Sequence, residues 1–245
     1  MRTNKALAPL VLAATAGALP TAFDSSSDTI GLLIENLNGG DIYISGDWAA
    51  KDIARYGSAA MPNQSHILAN GSSVFIKAFP NTSPKYYFGY TPNEASPAVG
   101  VKRNSDIVFE ATFVDENGKT FYDVDVERGF SVPLWCHGLQ EQWTDGKGCE
   151  GDILSTCPEQ LQHLDKDGVI DQCRSEPTKM DIKRRRKFCP RAYIVWDDDK
   201  WGVKAINTPA SSGELSVLCL LNNRFTDWCS RCVHDHRSEE LDKDC

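Results

Sequence analysis

The chain has 245 residues, nine cysteines, 41% hydrophobic residues and a formal net charge of -8. Aromatic residues at 9% and charged residues at 24% exclude wholesale disorder, and the length suits one large β-rich domain or one domain with a small appendage. Thirty-four acidic residues against 26 basic ones argue against non-specific binding to nucleic acid or to an anionic membrane surface.

Residues 1–22 have the form of a signal peptide. Arg2 and Lys5 make a basic start, Ala6 to Ala14 is apolar but too short to span a bilayer, and small residues allow cleavage after Ala18 or Ala22. No later segment approaches the apolar length of a membrane helix, so the expectation is a secreted, extracellular monomer without stable membrane insertion. Export makes the cysteines disulfides rather than metal ligands, and no metal or cofactor is expected. Three glycosylation sequons, at Asn63, Asn70 and Asn81, cluster on what should be one exposed face.

Short apolar or alternating runs predict strands at Thr29–Glu35, Asp41–Ser45, Ser72–Ala78, Lys85–Tyr90, Ile107–Val114 and Thr120–Val126. Turn residues such as Asn38-Gly39-Gly40, Asn70-Gly71 and Asn117-Gly118 separate them, the pattern of an antiparallel sandwich or barrel. All nine cysteines lie at or beyond Cys136. The chain therefore divides into a β-sandwich core at 23–134, a disulfide-stapled loop region with returning strands at 135–225, and a cysteine-containing tail at 226–245.

The segment from Asp106 to Arg128 is a predicted hairpin that gathers carboxylates. A two-residue Asn117-Gly118 loop sets Thr112 opposite Asp123 and Glu110 opposite Asp125. One face then carries Phe109, Ala111, Phe113, Tyr122, Val124 and Val126, and must be core. A slip of one residue would bury Asp123 and Asp125 instead. Glu110, Asp123 and Asp125 share the other face, where mutual repulsion should raise at least one pKa unless a cation intervenes. A raised acid beside an ionised partner is what glycoside hydrolysis requires. Taken alone, the hairpin also reads as a solvated face relieved by Lys or Arg.

In the second half, Pro158 opens a predicted short helix over Glu159–Leu164, and Thr178 with Asp181 forms a capping box for a helix through Lys187. The Lys183–Lys187 run (KRRRK) is expected on that helix's exposed face. Cys229, Cys232, His234 and His236 superficially resemble a zinc set, but their spacing and an exported chain favour a disulfide or a flexible tail.

The stretch Phe121–Pro133, FYDVDVERGFSVP, resembles the signature of thaumatin-like proteins. Cys149–Cys157 followed by Pro158, Phe188–Tyr193, Trp196–Asp199, the Ile30–Ile44 and Leu68–Ala78 segments, and Phe109-Glu110-Ala111 are similar to further family motifs. The resemblance covers roughly residues 29–230. It implies a mainly β fold: a thaumatin-like antiparallel β-sandwich with a small disulfide-rich loop domain containing short helices, and an acidic cleft between them. It also implies the pairs Cys136–Cys219, Cys149–Cys189 and Cys157–Cys173. Cys229, Cys232 and Cys245 are left for one pair and one free thiol.

The family's cleft is associated with β-1,3-glucan binding and, in some members, hydrolysis. Glu110 matches its Glu, Asp123 its first Asp, and Asp198 or Asp199 its last. The family Arg falls near Lys85–Tyr87, where there is none, and the second Asp falls at Arg128. Asp125 is expected to restore a carboxylate and Arg128 the missing cation. On a hydrolytic reading, an endo-β-1,3-glucanase, Glu110 donates the proton and Asp123 or Asp125 serves as base or nucleophile. Asp198, Asp199, Trp196 and Arg128 bind the cell-wall polysaccharide, with Trp196 as a stacking platform. The alternative is a non-catalytic secreted binding protein, a defence- or virulence-type factor on the same scaffold that engages a protein at the cell surface.

Overall fold

A computed structural model of the chain describes residues 30–47, 66–78, 81–90, 106–113, 118–138, 145–198, 202–207 and 215–221. The expected leader and its cleavage sites, Asn63, Asp199 and the tail cysteines Cys229, Cys232 and Cys245 lie outside the described residues.

Two sheets face each other. One is built from β1 (Ile30–Asn36), β4 (Ser73–Ala78), β9 (Leu134–Gly138), β10 (Lys147–Gly148) and β14 (Leu215–Leu221), in the order β10-β9-β14-β1-β4. The other contains β2 (Ile42–Asp47), β3 (His66–Leu68), β5 (Lys85–Gly89), β6 (Ile107–Thr112), β7 (Lys119–Asp125) and β13 (Lys204–Asn207), in the order β13-β7-β6-β5-β2-β3. All pairings are antiparallel except β1 with β14, which is parallel. Each predicted strand run is observed to within two residues at its ends, because period-2 burial and Gly- and Asn-rich turns specify these strands locally.

Alternation fills the space between the sheets. Leu32, Ile34, Val217 and Cys219 of one sheet meet Ile44, Phe88, Phe109, Tyr122 and Val124 of the other in a single buried cluster. Burying residues of this size at about 1.5–3 kcal/mol each is the main favourable contribution to the fold. That cluster does not stop at the sandwich. Cys149, Ile153, Leu161, Cys173, Cys189 and Ile194 belong to it, so the second half shares the core rather than relying on staples alone.

Disulfides join Cys136 to Cys219, Cys149 to Cys189 and Cys157 to Cys173, the three pairs that the family resemblance implies. Their placement differs from a purely loop-domain role. Cys136 and Cys219 sit opposite each other on β9 and β14, inside the sandwich sheet. Only the other two pairs staple the loop region. A third, small sheet in the order β11-β12-β8 ties that region to the end of β7; its strands are β8 (Gly129–Phe130), β11 (Gln162–Leu164) and β12 (Ile170–Arg174). The predicted helix at Glu159–Leu164 is a single 3-10 turn, Glu159–Leu161, followed by β11, because residues 162–164 pair with β12 instead.

The N-cap half of the expected capping box is observed. Helix α1 (Lys179–Phe188) starts at Thr178, whose side chain accepts a hydrogen bond from Asp181 N. Its basic run does not lie wholly outside, however. Arg185 is buried and its guanidinium donates to Asp181 Oδ2 at 2.9 Å and to the carbonyls of Val126 at 2.6 Å and Ile194 at 3.1 Å. Within β10 the chain passes through Gly148 at φ 133°, where a Cβ would stand 2.1 Å from the Leu134 carbonyl oxygen. Asn70 and Asn81, two of the three sequon asparagines, are exposed.

Candidate functional site

The β5-β6-β7 part of the second sheet has a wet outer face, and the sequence explains why. On β6 and β7 the residues between the core positions are Val108, Glu110, Thr112, Phe121, Asp123 and Asp125, so the face opposite the core is polar at its centre. Observed pairing sets Glu110 opposite Asp123 and Val108 opposite Asp125. The expected register, with Glu110 opposite Asp125, is therefore two residues off. Core burial fixes the parity of the pairing but not its offset, which the connection sets. Gly118 at φ 73° stands just before β7 rather than within a two-residue loop of the expected register. Glu110 thus has Asp123 directly across the ladder, with Cβ atoms roughly 5 Å apart, and Asp125 on the diagonal at about 7–8 Å.

These carboxylates line a cleft of about 330 Å³, whose walls also include Lys85, Tyr87, Asp106, Glu127, Arg128 and Tyr193. A further hollow of about 250 Å³ shares Lys85, Glu110, Asp123 and Val203 with it and continues past Ser83, Thr112 and Phe121. Together they make a groove along the sheet rather than a closed pocket.

Lys85 is the candidate site residue that sequence reasoning passed over. It lies opposite Glu110 on the neighbouring strand, and its ammonium forms an ion pair with Glu110 Oε1 at the middle of the groove. Both partners stay accessible, at 42% and 29% side-chain exposure, so solvent and ligand reach the pair. The signal was present: the position where the family carries Arg falls on Lys85–Tyr87. Recognising Lys85 as the cation required knowing that β5 pairs with β6 in this register. Arg128 lines the same cleft and is exposed.

Charge in the groove is unevenly balanced. Asp125 accepts a hydrogen bond from Glu127 N at 2.6 Å, yet its carboxyl is pushed up to about 6. Burial is the main cause, and the Glu110 charge adds to it; the Glu127 N–H and Lys85 oppose it. Burial, with the charges of Asp47 and Glu110, also pushes the Tyr87 hydroxyl up to about 12, so it remains a neutral donor at ordinary pH. Asp106 is buried and held by Gln172 Nε2 at 2.6 Å, which fixes one wall.

Asp198 requires a correction. It was expected on the cleft floor but does not line the groove. Its carboxylate is buried, receives Arg186 Nη2 on both oxygens at 2.7 and 2.8 Å, and accepts from Ile194 N at 2.9 Å and Val195 N at 3.1 Å. With its acceptor oxygens satisfied internally, it clamps a turn to α1 and offers nothing to a ligand. Trp196 is 79% exposed and also lies outside the lining of the groove. Tyr193, missed in the sequence, is part of the wall because it bridges to Asp125 in parallel fashion and exchanges backbone hydrogen bonds with Val124 and Val126. Among the described residues no group of three His, Cys, Asp or Glu is placed to hold a metal ion, and no helix is long and apolar enough to cross a membrane.

Residues 97–195 match the model of the Thaumatin family. Pathogenesis-related protein 5 of Arabidopsis thaliana is 34% identical over 70 residues, covering 27% of this chain and 28% of that protein. Pathogenesis-related thaumatin-like protein 3.7 of Cryptomeria japonica is 25% identical over 125 residues, covering 44% and 52% respectively. Thaumatin-like protein 1 of Prunus persica is 28% identical over 116 residues, covering 37% and 46%. The chain thus spans about half or less of the length of these relatives. Among solved structures, the thaumatin-like xylanase inhibitor TLXI aligns with a TM-score of 0.39 at 12% identity over 78% of this chain and 97% of that chain. The protein elicitor MoHrip2 from Magnaporthe oryzae aligns with a TM-score of 0.38 at 10% identity over the same shares. The matched segment, which carries the hairpin, two of the three disulfide pairs and α1, is thus the part of the chain that is similar to thaumatin-like proteins.

Proposed function

We propose that this protein is secreted and binds a neutral, hydroxyl-rich polysaccharide of the β-1,3-glucan type along the β5-β6-β7 groove. The observation that carries this reading is the accessible Lys85–Glu110 ion pair at the centre of an open groove, with Asp123 and Asp125 beside it. Sugar hydroxyls both donate and accept. Carboxylates accept from them, and an ammonium and the neutral Tyr87 hydroxyl donate to them. A neutral chain also avoids the repulsion that five lining carboxylates would exert on an anionic one.

Hydrolysis is the second reading, favoured by the raised Asp125 carboxyl. A group that titrates near 6 can hold a proton at mildly acidic pH, and Glu110, paired with Lys85, stands on its diagonal as the partner carboxylate. The acid role then belongs to Asp125 rather than to Glu110. A diagonal pair, unlike a directly opposed one, leaves room for an intervening water, as an inverting route requires.

Laminarin binding by calorimetry together with a reducing-end assay tests both readings. Binding without turnover supports the first. Turnover that falls above about pH 6, and is lost in both Asp125→Asn and Glu110→Gln, supports the second. Absence of binding at millimolar laminarin overturns both.

A further inference from the structure

Helix α1 carries the strongest concentration of positive charge in the described part of an acidic chain. Its sequence is KMDIKRRRKF, and its outer side borders an open depression of about 800 Å³. The arginines are committed. Arg184 pairs with Asp181 and also donates to Thr156 O at 3.2 Å, Arg185 is buried, and Arg186 pairs with Asp198. The lysines are not: Lys179, Lys183 and Lys187 are exposed, and among the described residues none has a carboxylate within ion-pair distance.

Spacing makes these three lysines a row. They recur every fourth residue, which on an α-helix is a rise of about 6 Å per step. Lys187 lies at the C-terminal end, where a cation suits the helix dipole, and its ammonium is 5.2 Å from the Phe188 ring centre. Lys179 lies in the first turn, where a cation opposes the dipole, so helix stability does not account for it. Between the charges the depression is apolar. Met180 is 80% exposed, and Ile182 and Phe188 are partly buried beside it. Beyond the first turn the helical backbone groups are paired internally, so most of this face offers a ligand point charges and an apolar floor.

We propose that this face binds a linear carboxylated polysaccharide, a polyuronate. Such a polymer presents one carboxylate per sugar at regular intervals, matching a row of ammoniums that accept an anion without demanding a fixed bidentate geometry. The C–H faces of its rings cover Met180 and Phe188. No residue lines both this depression and the groove, so a neutral chain and an anionic one can be held at the same time. Retention on the anionic polymer does not depend on the groove reading.

The test is binding of the full chain to unesterified polygalacturonate, to its fully methyl-esterified form and to polyglutamate, at about 50 and 500 mM salt. The wild type should bind the unesterified polymer at low salt, lose it at high salt and ignore the ester. The triple variant Lys179→Gln/Lys183→Gln/Lys187→Gln should bind at least about tenfold more weakly with an unchanged thermal midpoint. Its laminarin binding should equal that of the wild type, which separates failure here from failure of the groove reading. The assignment is overturned if the wild type does not bind the unesterified polymer, if the triple variant binds as tightly as wild type, or if the ester binds equally well. Tighter binding to polyglutamate also overturns it and points to an acidic protein.

Discussion

Two clusters of carboxylates lie within one molecule and have opposite fates. Around α1, Asp181 and Asp198 are buried, and arginines together with backbone N–H groups saturate them. In the groove, Glu110 shares one accessible lysine with a neighbourhood of other carboxylates, and Asp125 is left with a raised pKa. The residue types are the same. A carboxylate whose donors come from its own turn and helix is structural, whereas one whose donors are few and wet is available to a ligand.

The largest expected break in this comparison comes from Arg185→Met. Removing the guanidinium strands the buried carbonyls of Val126 and Ile194 and takes one of the two arginines from Asp181, at a cost of about 3–5 kcal/mol in a denaturant titration. Opening the Cys149–Cys189 bridge with a double serine variant should cost about 2–4 kcal/mol, since it closes a loop with a sequence separation of 40. Asp198→Asn, which loosens the clamp on Arg186, should cost about 1–3 kcal/mol.

Asp125→Asn should act in the other direction. The folded-state pKa is raised from 3.8 to about 6, so the folded protein holds the proton more tightly than the unfolded chain. The stability linked to that proton is fully present below about pH 3.8 and is lost as pH rises through 6. At pH 7 the amide variant should therefore be more stable than wild type by about 1–2 kcal/mol. Between pH 4 and about 6 its stability should also vary less with pH. Equal pH dependence of the two proteins would mean that the groove does not strain Asp125.

The sequence carried the strands and the core face of the β6-β7 hairpin, because alternation is local and a one-residue slip would bury Asp123 and Asp125. It carried the cap of α1 for the same reason, since Thr178 and Asp181 are three residues apart. The offset of the hairpin was not legible, because it depends on the connection rather than on the apolar pattern. The Lys85–Glu110 pair was hidden because it joins strands 25 residues apart in sequence. Asp198 misled because its place in the cleft was inferred from its match to a family motif within a run of three aspartates. Its role depends on Arg186 from the preceding helix and on the backbone of its own turn, neither of which a run of like charges reveals.

The most direct test of the account is calorimetric titration of laminarin into the wild type, Asp123→Asn and Asp198→Asn at pH 6. The account predicts that Asp198→Asn, although less stable, binds like wild type, while Asp123→Asn keeps its stability and binds about tenfold or more weakly. The account is contradicted if Asp123→Asn binds as tightly as wild type while Asp198→Asn loses binding.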